Sequence, residues 1–346
     1  MVKRLNIPYG RQQVTDQDIK EVERVLRSDF LTQGPEVPKF EENFKDYVGS
    51  SYSVAVNSAT SGLHLSCLAL NVGKGDIVWT SAVTFVASAN CALYCGAKVD
   101  LIDIDKDTCN ISIEALRNKL KAARKNNSLP KVLVAVHLAG LSCEMDQIKE
   151  LSDEFGFRII EDASHASGGS YKGKRIGACQ FSDISVFSFH PVKNLTSGEG
   201  GMITTNSEDL YLHLKGLREH GINKDPKFFK DISDGPWYYE QIDLGFNYRM
   251  TDIHAVLGSS QLKRLSRNTK KRHEIAEFYK ENLERFPLIL PPNYENNYSG
   301  MHLYVVRIDK TESAIKHEFV FSELRRRGIG VNLHYIPVYR HPYFKK

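Results

Sequence analysis

The sequence predicts an α/β protein built on a mainly parallel, seven-stranded sheet. Short β-branched runs recur through the first two thirds of the chain, most are apolar on both faces, and helix-like segments separate several of them. Such runs are typical of a sheet with helices on both sides, and strand–helix alternation at this spacing is typical of parallel strands. The runs are SVAVN (53–57), DIVWT (76–80), KVDLIDI (98–104), KVLVAVHL (131–138), FRIIEDA (157–163), DISVFSF (183–189) and GMITTN (201–206).

The last two runs are joined by the loop HPVKNLTSGEG, which lacks a helical pattern. Parallel neighbours need a long crossover connection, so we expect these two strands to pair differently from the others. The loop carries turn residues and one lysine, Lys193, directly after a buried strand. A connection between strands needs the turn residues but not the lysine.

A second, smaller α/β unit is predicted after residue 246. A helical stretch covers about 250–286, and the strand LYVVRI (303–308), the helix AIKHEFVFSELRRRG (314–328) and the strand IGVNLH (329–334) follow. We therefore predict a large domain over 1–246, with 1–25 packing on the small domain, and a small domain over 247–346.

Composition excludes several classes of protein. The chain has 346 residues, and no run approaches the ~18 apolar residues that span a membrane. No signal-peptide pattern opens it, and the six cysteines form no CxxC pair, so we expect a cytoplasmic protein without disulfides or a metal site. The net charge of +4 is too small to indicate nucleic acid, but it suits an anionic small substrate.

Chemically distinctive residues gather where the predicted strands end, which is where open α/β sheets bind ligands. The segment NSATSG, with Ala59, Thr60 and Ser61, precedes a helix and can present backbone N–H groups to an anion, or it is an ordinary N-cap. Asp162 is a partner for a ligand or a carboxylate satisfied by loop N–H groups. Phe85 is a stacking surface or core, and Lys193 is a reactive amine or a lysine that reaches solvent.

Taken together, these residues match the needs of pyridoxal 5′-phosphate. The helix start suits the phosphate, the aromatic ring suits the pyridine face, the carboxylate keeps the ring nitrogen protonated, and the lysine forms a Schiff base with the aldehyde. A P-loop would need GxxxxGK[ST], and a dinucleotide site would need GxGxxG after the first strand. The sequence contains neither motif at the required place.

The chain resembles the sugar aminotransferases of the DegT/DnrJ/EryC1/StrS family, which are fold-type I pyridoxal phosphate enzymes of the aspartate aminotransferase-like class. The similar segments run in the same order over essentially the whole chain. They are IPYGRQQV, NSATSGLHL, TFVASAN, EDASHASGGSYKGKRIG, SVFSFHPVKNLTSGEGG, LREHG, GFNYRMTDIHAVLGSSQL, HLYVVRI and VNLHYIPVYRHPYF.

The resemblance implies a role for each matching residue. Lys193 would be the Schiff-base lysine, Asp162 the partner of the pyridine nitrogen, and His165, in the family's D-x-x-H segment, a third catalytic residue. The other implied cofactor contacts are Ala59, Thr60, Ser61, Phe85, Ser188 and Asn247, the last reaching the phosphate of a neighbouring subunit in a homodimer. The implied substrate contacts are Tyr9, Arg249, His334 and Tyr335.

Within the family, RSDFLTQGP and TFVASANCALYCGA are most similar to members of pseudaminic acid biosynthesis. The resemblance implies transfer of an amino group from L-glutamate to C4 of a UDP-linked 4-keto-6-deoxy-N-acetylhexosamine. The alternatives are a different nucleotide-linked 3- or 4-ketosugar, or a non-catalytic regulatory protein of the same fold. Relatives that dehydrate or deoxygenate sugars have a histidine in place of Lys193, so the lysine argues against that chemistry.

The sequence departs from the family pattern after HPYF. The family continues through a further helix and strand that complete the small domain, whereas this sequence ends at Lys346. Either the sequence is truncated at this point, or the small domain closes with less cover.

Overall fold

Seven apolar runs of the sequence form one sheet in the structure, a computed structural model that describes residues 6–345. The strands of these residues, in chain order, are β1 (Tyr52–Val56), β2 (Ile77–Ser81), β3 (Lys98–Ile102), β4 (Val132–Val136), β5 (Arg158–Asp162), β6 (Ser170–Tyr171), β7 (Lys174–Arg175), β8 (Ile184–Ser188), β9 (Gly201–Thr205), β10 (Ile222–Asn223), β11 (Glu240–Gln241), β12 (Leu288–Ile289), β13 (Asn297–Tyr298) and β14 (Arg307–Ile308).

The helices cover both faces of this sheet and extend into the C-terminal third. They are α1 (Asp16–Leu26), α2 (Glu36–Val48), α3 (Ala59–Ala69), α4 (Ala87–Tyr94), α5 (Ile113–Lys125), α6 (Met145–Phe155), α7 (Glu208–Arg218), α8 (Asp252–Leu262), α9 (Leu265–Leu283) and α10 (His317–Arg326). None of these helices combines the length and the apolar character that crossing a membrane requires.

The main sheet has the strand order β1-β9-β8-β5-β4-β2-β3. The neighbours from β8 to β3 are parallel, whereas β9 runs antiparallel to both β8 and β1. The expectation that the last two runs pair differently is therefore confirmed, because the short loop between β8 and β9 reverses the chain. All five residues of β4 and of β8 are buried, as strands covered on both faces must be.

Helix α3 lies especially close to the sheet, and Gly62 makes this approach possible. A Cβ atom at that position would lie 2.8 Å from Cγ1 of Val186 in β8. Nearly all of α3 is buried, and its apolar side chains join a core with α4, α7 and the central strands. Because α3 is fixed on the sheet in this way, its N-terminus is held beside the ends of β1 and β8.

The C-terminal third differs in detail from the sequence prediction. The stretch 250–286 is two helices, α8 and α9, and the predicted strand 303–308 is reduced to β14, which pairs with β12. The prediction of a strand over 329–334 is wrong, because only Ile329 makes a bridge, to Ile7. The apolar residues of this segment are partly exposed, and within residues 6–345 the segment pairs with no sheet.

The N-terminal segment contacts two parts of the chain. Ile7 N–H donates to the carbonyl of Gly328 at 2.8 Å, and α1 packs against α8. Residues 1–5 of the predicted 1–25 segment, and Lys346 of the predicted small domain, lie outside the described residues. The division into domains at residue 246 stays a prediction.

Candidate active site

A cavity of about 850 Å³ lies at the carboxyl edge of the parallel strands. Its walls come from the ends of β5 and β8, the N-termini of α3 and α4, the loop after β8 and two segments near the chain termini. The volume is typical of a site for a cofactor or a small molecule. The position matches the rule that open α/β sheets bind ligands beyond the carboxyl ends of their strands.

Most of the residues predicted from sequence meet in this cavity. From the cofactor and catalytic set it is lined by Ala59, Thr60, Ser61, Phe85, Asp162, His165, Ser188 and Lys193. From the substrate set it is lined by Tyr9, His334 and Tyr335. These residues come from distant parts of the chain, and the fold brings their side chains to one place.

Two predicted residues do not line the cavity. Asn247 is exposed, and its backbone forms a bridge with Glu219. Arg249 forms a bridge with Val56 and borders a separate cavity of about 410 Å³. The prediction for Asn247 concerned a neighbouring subunit, and its role and that of Arg249 stay predictions.

The N-terminus of α3 is arranged to hold an anion. Ser58 caps the helix, and its Oγ accepts the N–H of Ser61 at 3.1 Å. The N–H groups of Ala59 and Thr60, at the first two helical positions, have no acceptor in the preceding turn. The N–H of Ser61, by contrast, already has an acceptor in Ser58 Oγ, and the Ser61 hydroxyl donates to Asn57 Oδ1 at 2.5 Å. The amides of Ala59 and Thr60, with the Ser188 hydroxyl in the same cavity wall, can therefore donate hydrogen bonds to an anion.

Lys193 follows β8 in the loop, and its backbone N–H donates to the carbonyl of His190 at 2.9 Å. Among the described residues the ammonium group forms no salt bridge. Burial lowers the pKa of Lys193 to about 8, although the carboxylate of Asp162 opposes the shift. A lysine with such a pKa supplies a neutral, nucleophilic amine near neutral pH.

Asp162 ends β5 and is only 6% exposed. Its Oδ2 accepts a hydrogen bond from Ser88 Oγ at 2.7 Å, and its Oδ1 accepts one from the N–H of Ser164 at 3.1 Å. An ionised carboxylate has about four acceptor positions, and the described residues supply donors for two of them. Asp162 can therefore accept a further hydrogen bond from a ligand.

His165 is held between two partners. Its Nδ1 accepts the N–H of Ala139 at 3.2 Å, and its Nε2 lies 3.2 Å from Tyr335 Oη. Burial, followed by the positive charge of Lys193, holds the pKa of His165 well below its usual range. The ring is therefore neutral, and with Nδ1 accepting, the proton is on Nε2 and is donated to the tyrosine oxygen.

Phe85 presents an aromatic surface to the cavity and is 57% exposed. Its ring centroid lies 6.1 Å from that of Tyr335. An aromatic side chain exposed at a cavity wall can stack on a flat ligand ring. Phe85 does not belong to the core, so the core alternative from the sequence is wrong.

Sequence reasoning missed residues whose role depends on the folded chain. Ser88, on α4, donates to Asp162, and His302 lies beside His165 with ring centroids 4.5 Å apart. Ser88 lies within the segment TFVASAN, where a serine near a helix start indicates only local capping. No local signal would have distinguished either residue.

The residues of the cavity fit pyridoxal 5′-phosphate. The free amides of α3 and the Ser188 hydroxyl suit its phosphate, Phe85 suits its ring, and Asp162 retains acceptor positions for its ring nitrogen. The lowered pKa of Lys193 makes available the neutral amine that can attack the cofactor's aldehyde. Each demand of this cofactor is met by a group on the cavity wall.

Comparison with known sequences gives relatives over the full length of the chain. An uncharacterized protein of Methanocaldococcus jannaschii is 39% identical over 347 residues, covering 100% of this chain and 88% of the relative. A UDP-4-amino-4,6-dideoxy-N-acetyl-beta-L-altrosamine transaminase of Campylobacter jejuni is 39% identical over 343 residues, covering 98% and 86%.

Two solved structures match the fold over nearly the full length of this chain. PseC of Helicobacter pylori, an aminotransferase involved in the biosynthesis of pseudaminic acid, matches with a TM-score of 0.88 and 30% identity, covering 99% of this chain and 88% of that one. A Streptococcus pneumoniae protein in its PMP form matches with a TM-score of 0.87 and 30% identity, covering 98% and 88%.

Fold and cofactor together define the class of protein, an aspartate aminotransferase-like, fold-type I enzyme that depends on pyridoxal 5′-phosphate. The model of the DegT/DnrJ/EryC1/StrS aminotransferase family matches residues 12–346. The chain belongs to this family and is a sugar aminotransferase. The resemblance, the fold and the cofactor predicted from the sequence are thereby confirmed.

Proposed function

We propose that the protein transfers an amino group from L-glutamate to C4 of a UDP-linked 4-keto-6-deoxy-N-acetylhexosamine. The observation that carries this proposal is the 39% identity, over 98% of the chain, to a transaminase whose name specifies a UDP-linked 4-amino-4,6-dideoxy-N-acetylhexosamine. The similarity of fold to an aminotransferase of pseudaminic acid biosynthesis supports the same pathway. Because the chain is equally similar to an uncharacterized relative, the substrate requires its own test.

Binding and orientation of the cofactor are assigned to the cavity wall. The amides of Ala59 and Thr60 and the hydroxyl of Ser188 would hold the phosphate, and Phe85 would lie on the ring face. The cofactor, once bound, supplies an aldehyde carbon that carries the amino group and a ring that accepts electrons. Asp162, through its free acceptor positions, would hold a proton on the ring nitrogen, and an uncharged ring would be a poorer electron acceptor.

The proton transfers are assigned to Lys193. Lys193 would hold the cofactor through its Nζ, and with glutamate bound in its place the free Nζ would take up the proton of the substrate carbon and return it on the cofactor side. The pKa of about 8 suits this alternation, because both protonation states are accessible near neutral pH. In the second half-reaction the same nitrogen moves a proton in the opposite direction.

The substrate wall is formed by residues from the two ends of the chain. Tyr9 and His334 are joined by a hydrogen bond, and Tyr335 is joined to the catalytic wall through His165. A sugar entering beside Tyr335 would lie next to His165, in the cavity that Lys193 also lines. We therefore assign the sugar position to the space between Tyr9, His334 and Tyr335.

We further propose that the enzyme is a homodimer in which Asn247 completes the site of the partner subunit. Asn247 is exposed and lies outside the cavity of its own chain, so it is accessible to another subunit. The loop before it exposes large apolar side chains, with Trp237 73% and Leu244 76% exposed. Apolar surface of this kind is typical of a protein contact.

A panel of substrates tests the proposed function. UDP-linked 4-ketosugars and 3-ketosugars would each be incubated with glutamate, and the products would be resolved by NMR. We expect an amino group at C4 of the 6-deoxy-N-acetylhexosamine and formation of 2-oxoglutarate. Amination of a different nucleotide-linked ketosugar in preference would replace the substrate assignment, and a lack of transfer to every ketosugar would contradict the catalytic role.

A further inference from the structure

Two buried hydroxyl groups connect α4 to Asp162. Ser88 Oγ lies 2.7 Å from Asp162 Oδ2, and Thr84 Oγ1 lies 2.8 Å from Ser88 Oγ. Ser88 and Thr84 are almost completely inaccessible to solvent, at 0% and 1% exposure. The three side chains thus form a continuous hydrogen-bonded chain inside the protein.

The hydrogen bonds that join Thr84, Ser88 and Asp162 all donate in one direction, towards the carboxylate. An ionised carboxylate only accepts hydrogen bonds, so Ser88 donates its one hydroxyl proton to Asp162. The contact between the two hydroxyl groups must then be made with the proton of Thr84, which donates to Ser88. A donor that is itself a hydrogen-bond acceptor is polarised, and its bond to the carboxylate becomes stronger.

A purely local role for Ser88 does not account for these contacts. Helix α4 has Val86 at its N-cap position, without a side-chain cap, and the Ser88 hydroxyl bonds to Asp162 and Thr84. Its carboxylate partner is 74 residues away in the sequence and lines the cavity. The serine therefore contacts Asp162 without lining the cavity itself.

We propose that Thr84 and Ser88 are positioning residues that hold the Asp162 carboxylate in one orientation, so that its negative charge keeps the proton on the cofactor's ring nitrogen. This inference rests on the proposed role of Asp162. Hydrogen bonds from fixed donors hold a carboxylate in one orientation, and a negative charge beside the ring nitrogen favours the protonated form of that nitrogen. Loss of the Ser88 donor would let the carboxylate turn away from the nitrogen and leave the ring less positively charged.

The test uses the enzyme loaded with pyridoxal 5′-phosphate, without substrate. The visible absorbance of the bound cofactor is titrated with pH in the wild type, Ser88→Ala, Thr84→Val and Asp162→Asn. A positive charge on the ring nitrogen makes a second proton on the cofactor easier to lose. If the ring nitrogen loses its charge, the midpoint of the absorbance titration therefore moves to higher pH. We expect an upward shift of about one pH unit in Ser88→Ala, the size of one hydrogen bond to a charged group.

Further variants separate positioning from packing. Thr84→Val keeps the shape of the side chain and is expected to shift the midpoint in the same direction by less. Ser66→Ala is the matched control, because Ser66 is a fully buried serine on α3 whose hydroxyl donates only to the carbonyl of Gly62. It is expected to leave the titration unchanged. In turnover, Ser88→Ala should lower kcat with little change in the KM for glutamate.

The outcomes separate this inference from the proposed role of Asp162, on which it rests. A shift in Asp162→Asn with none in Ser88→Ala and Thr84→Val would overturn the hydroxyl chain and leave the role of Asp162 intact. An unshifted Asp162→Asn would overturn both. Because the readout needs no sugar, an incorrect assignment of the ketosugar would not affect the result. If Ser88→Ala fails to fold, Thr84→Val alone decides between the shift and its absence.

Discussion

The hydroxyl of Tyr9 lies 2.7 Å from Nε2 of His334, so residues 325 positions apart form one wall of the cavity. Their rings are also stacked, with centroids 5.5 Å apart and planes inclined by 18°. The hydrogen bond and the stacking fix the orientation of the imidazole. The N-terminal segment is therefore part of the cavity wall that we propose binds the substrate.

Replacement of Tyr9 tests whether this wall of the cavity binds the nucleotide sugar. In Tyr9→Phe the stacking remains and the hydrogen bond is lost, so the KM for the nucleotide sugar should rise roughly three- to ten-fold, the effect of one neutral hydrogen bond. Steady-state kinetics with varied sugar measure this. The half-reaction with glutamate is the internal control and should be unchanged, because the sugar is absent from it. An unchanged KM for the sugar would remove Tyr9 from the substrate wall.

Asp162→Asn tests the ring-nitrogen partner. The amide retains the shape of the side chain but loses the negative charge, so cofactor should still bind. The half-reaction should slow by roughly two to three orders of magnitude, as when one preorganised electrostatic contact is lost. Single-turnover absorbance changes after mixing with glutamate measure the rate. A rate close to that of the wild type would show that Asp162 is only structural.

The lowered pKa of Lys193 predicts how pH affects covalent uptake of the cofactor by the apoprotein. Only the neutral amine attacks the aldehyde, so the uptake rate should rise with pH and level off above the pKa of about 8. Stopped-flow absorbance of the apoprotein mixed with pyridoxal 5′-phosphate measures the profile. Exposed lysines have a pKa near ~10.4, so a midpoint at that pH would contradict the effect of burial.

Hybrid dimers test the shared active site. Lys193→Ala chains and Asn247→Trp chains should each be inactive as homodimers. In a hybrid, one site combines the intact Lys193 of one chain with the intact Asn247 of the other, so activity should return at one site in two. Mixing the two variants after mild dissociation and assaying transamination gives the answer. Hybrids without activity, or a monomer that turns over, would contradict the shared site.

The sequence was sufficient for the main sheet because most of its strands are buried on both faces, whereas the edge strand β3 has exposed residues along its length. Five of the seven strands lie within the predicted runs, and β1 and β2 each extend one residue beyond theirs. Helices on both sides require continuous apolar residues such as those of β4. The gathering of Asp162 and Lys193 in one cavity also followed from the general rule for strand ends. These features depend on local pattern and topology, which a sequence displays.

Features set by tertiary contacts were not predictable in this way. The break between α8 and α9 contains neither proline nor glycine, and it lies at Arg264, whose Nη1 donates to Asp18 Oδ1 in α1 at 2.9 Å. The role of Ser88 likewise depends on the position of α4 beside β5. In both cases the deciding partner is far away in the chain, and the local residues give no sign of it.

The central claim is that Lys193 is the residue that carries the cofactor. Lys193→Ala and Lys193→Arg should abolish turnover and leave the fold intact by circular dichroism. A matched control is Lys121→Ala, since Lys121 is an exposed lysine of α5 outside the cavity. That variant should retain full activity.

The most direct measurement is reduction of the wild-type holoenzyme with borohydride, followed by peptide mapping. Reduction makes the bond between cofactor and lysine permanent, so mass spectrometry locates it. The account predicts the reduced cofactor on the peptide that contains Lys193 and on no other lysine peptide. Reduced cofactor on a different lysine would contradict the assignment of this cavity as the active site.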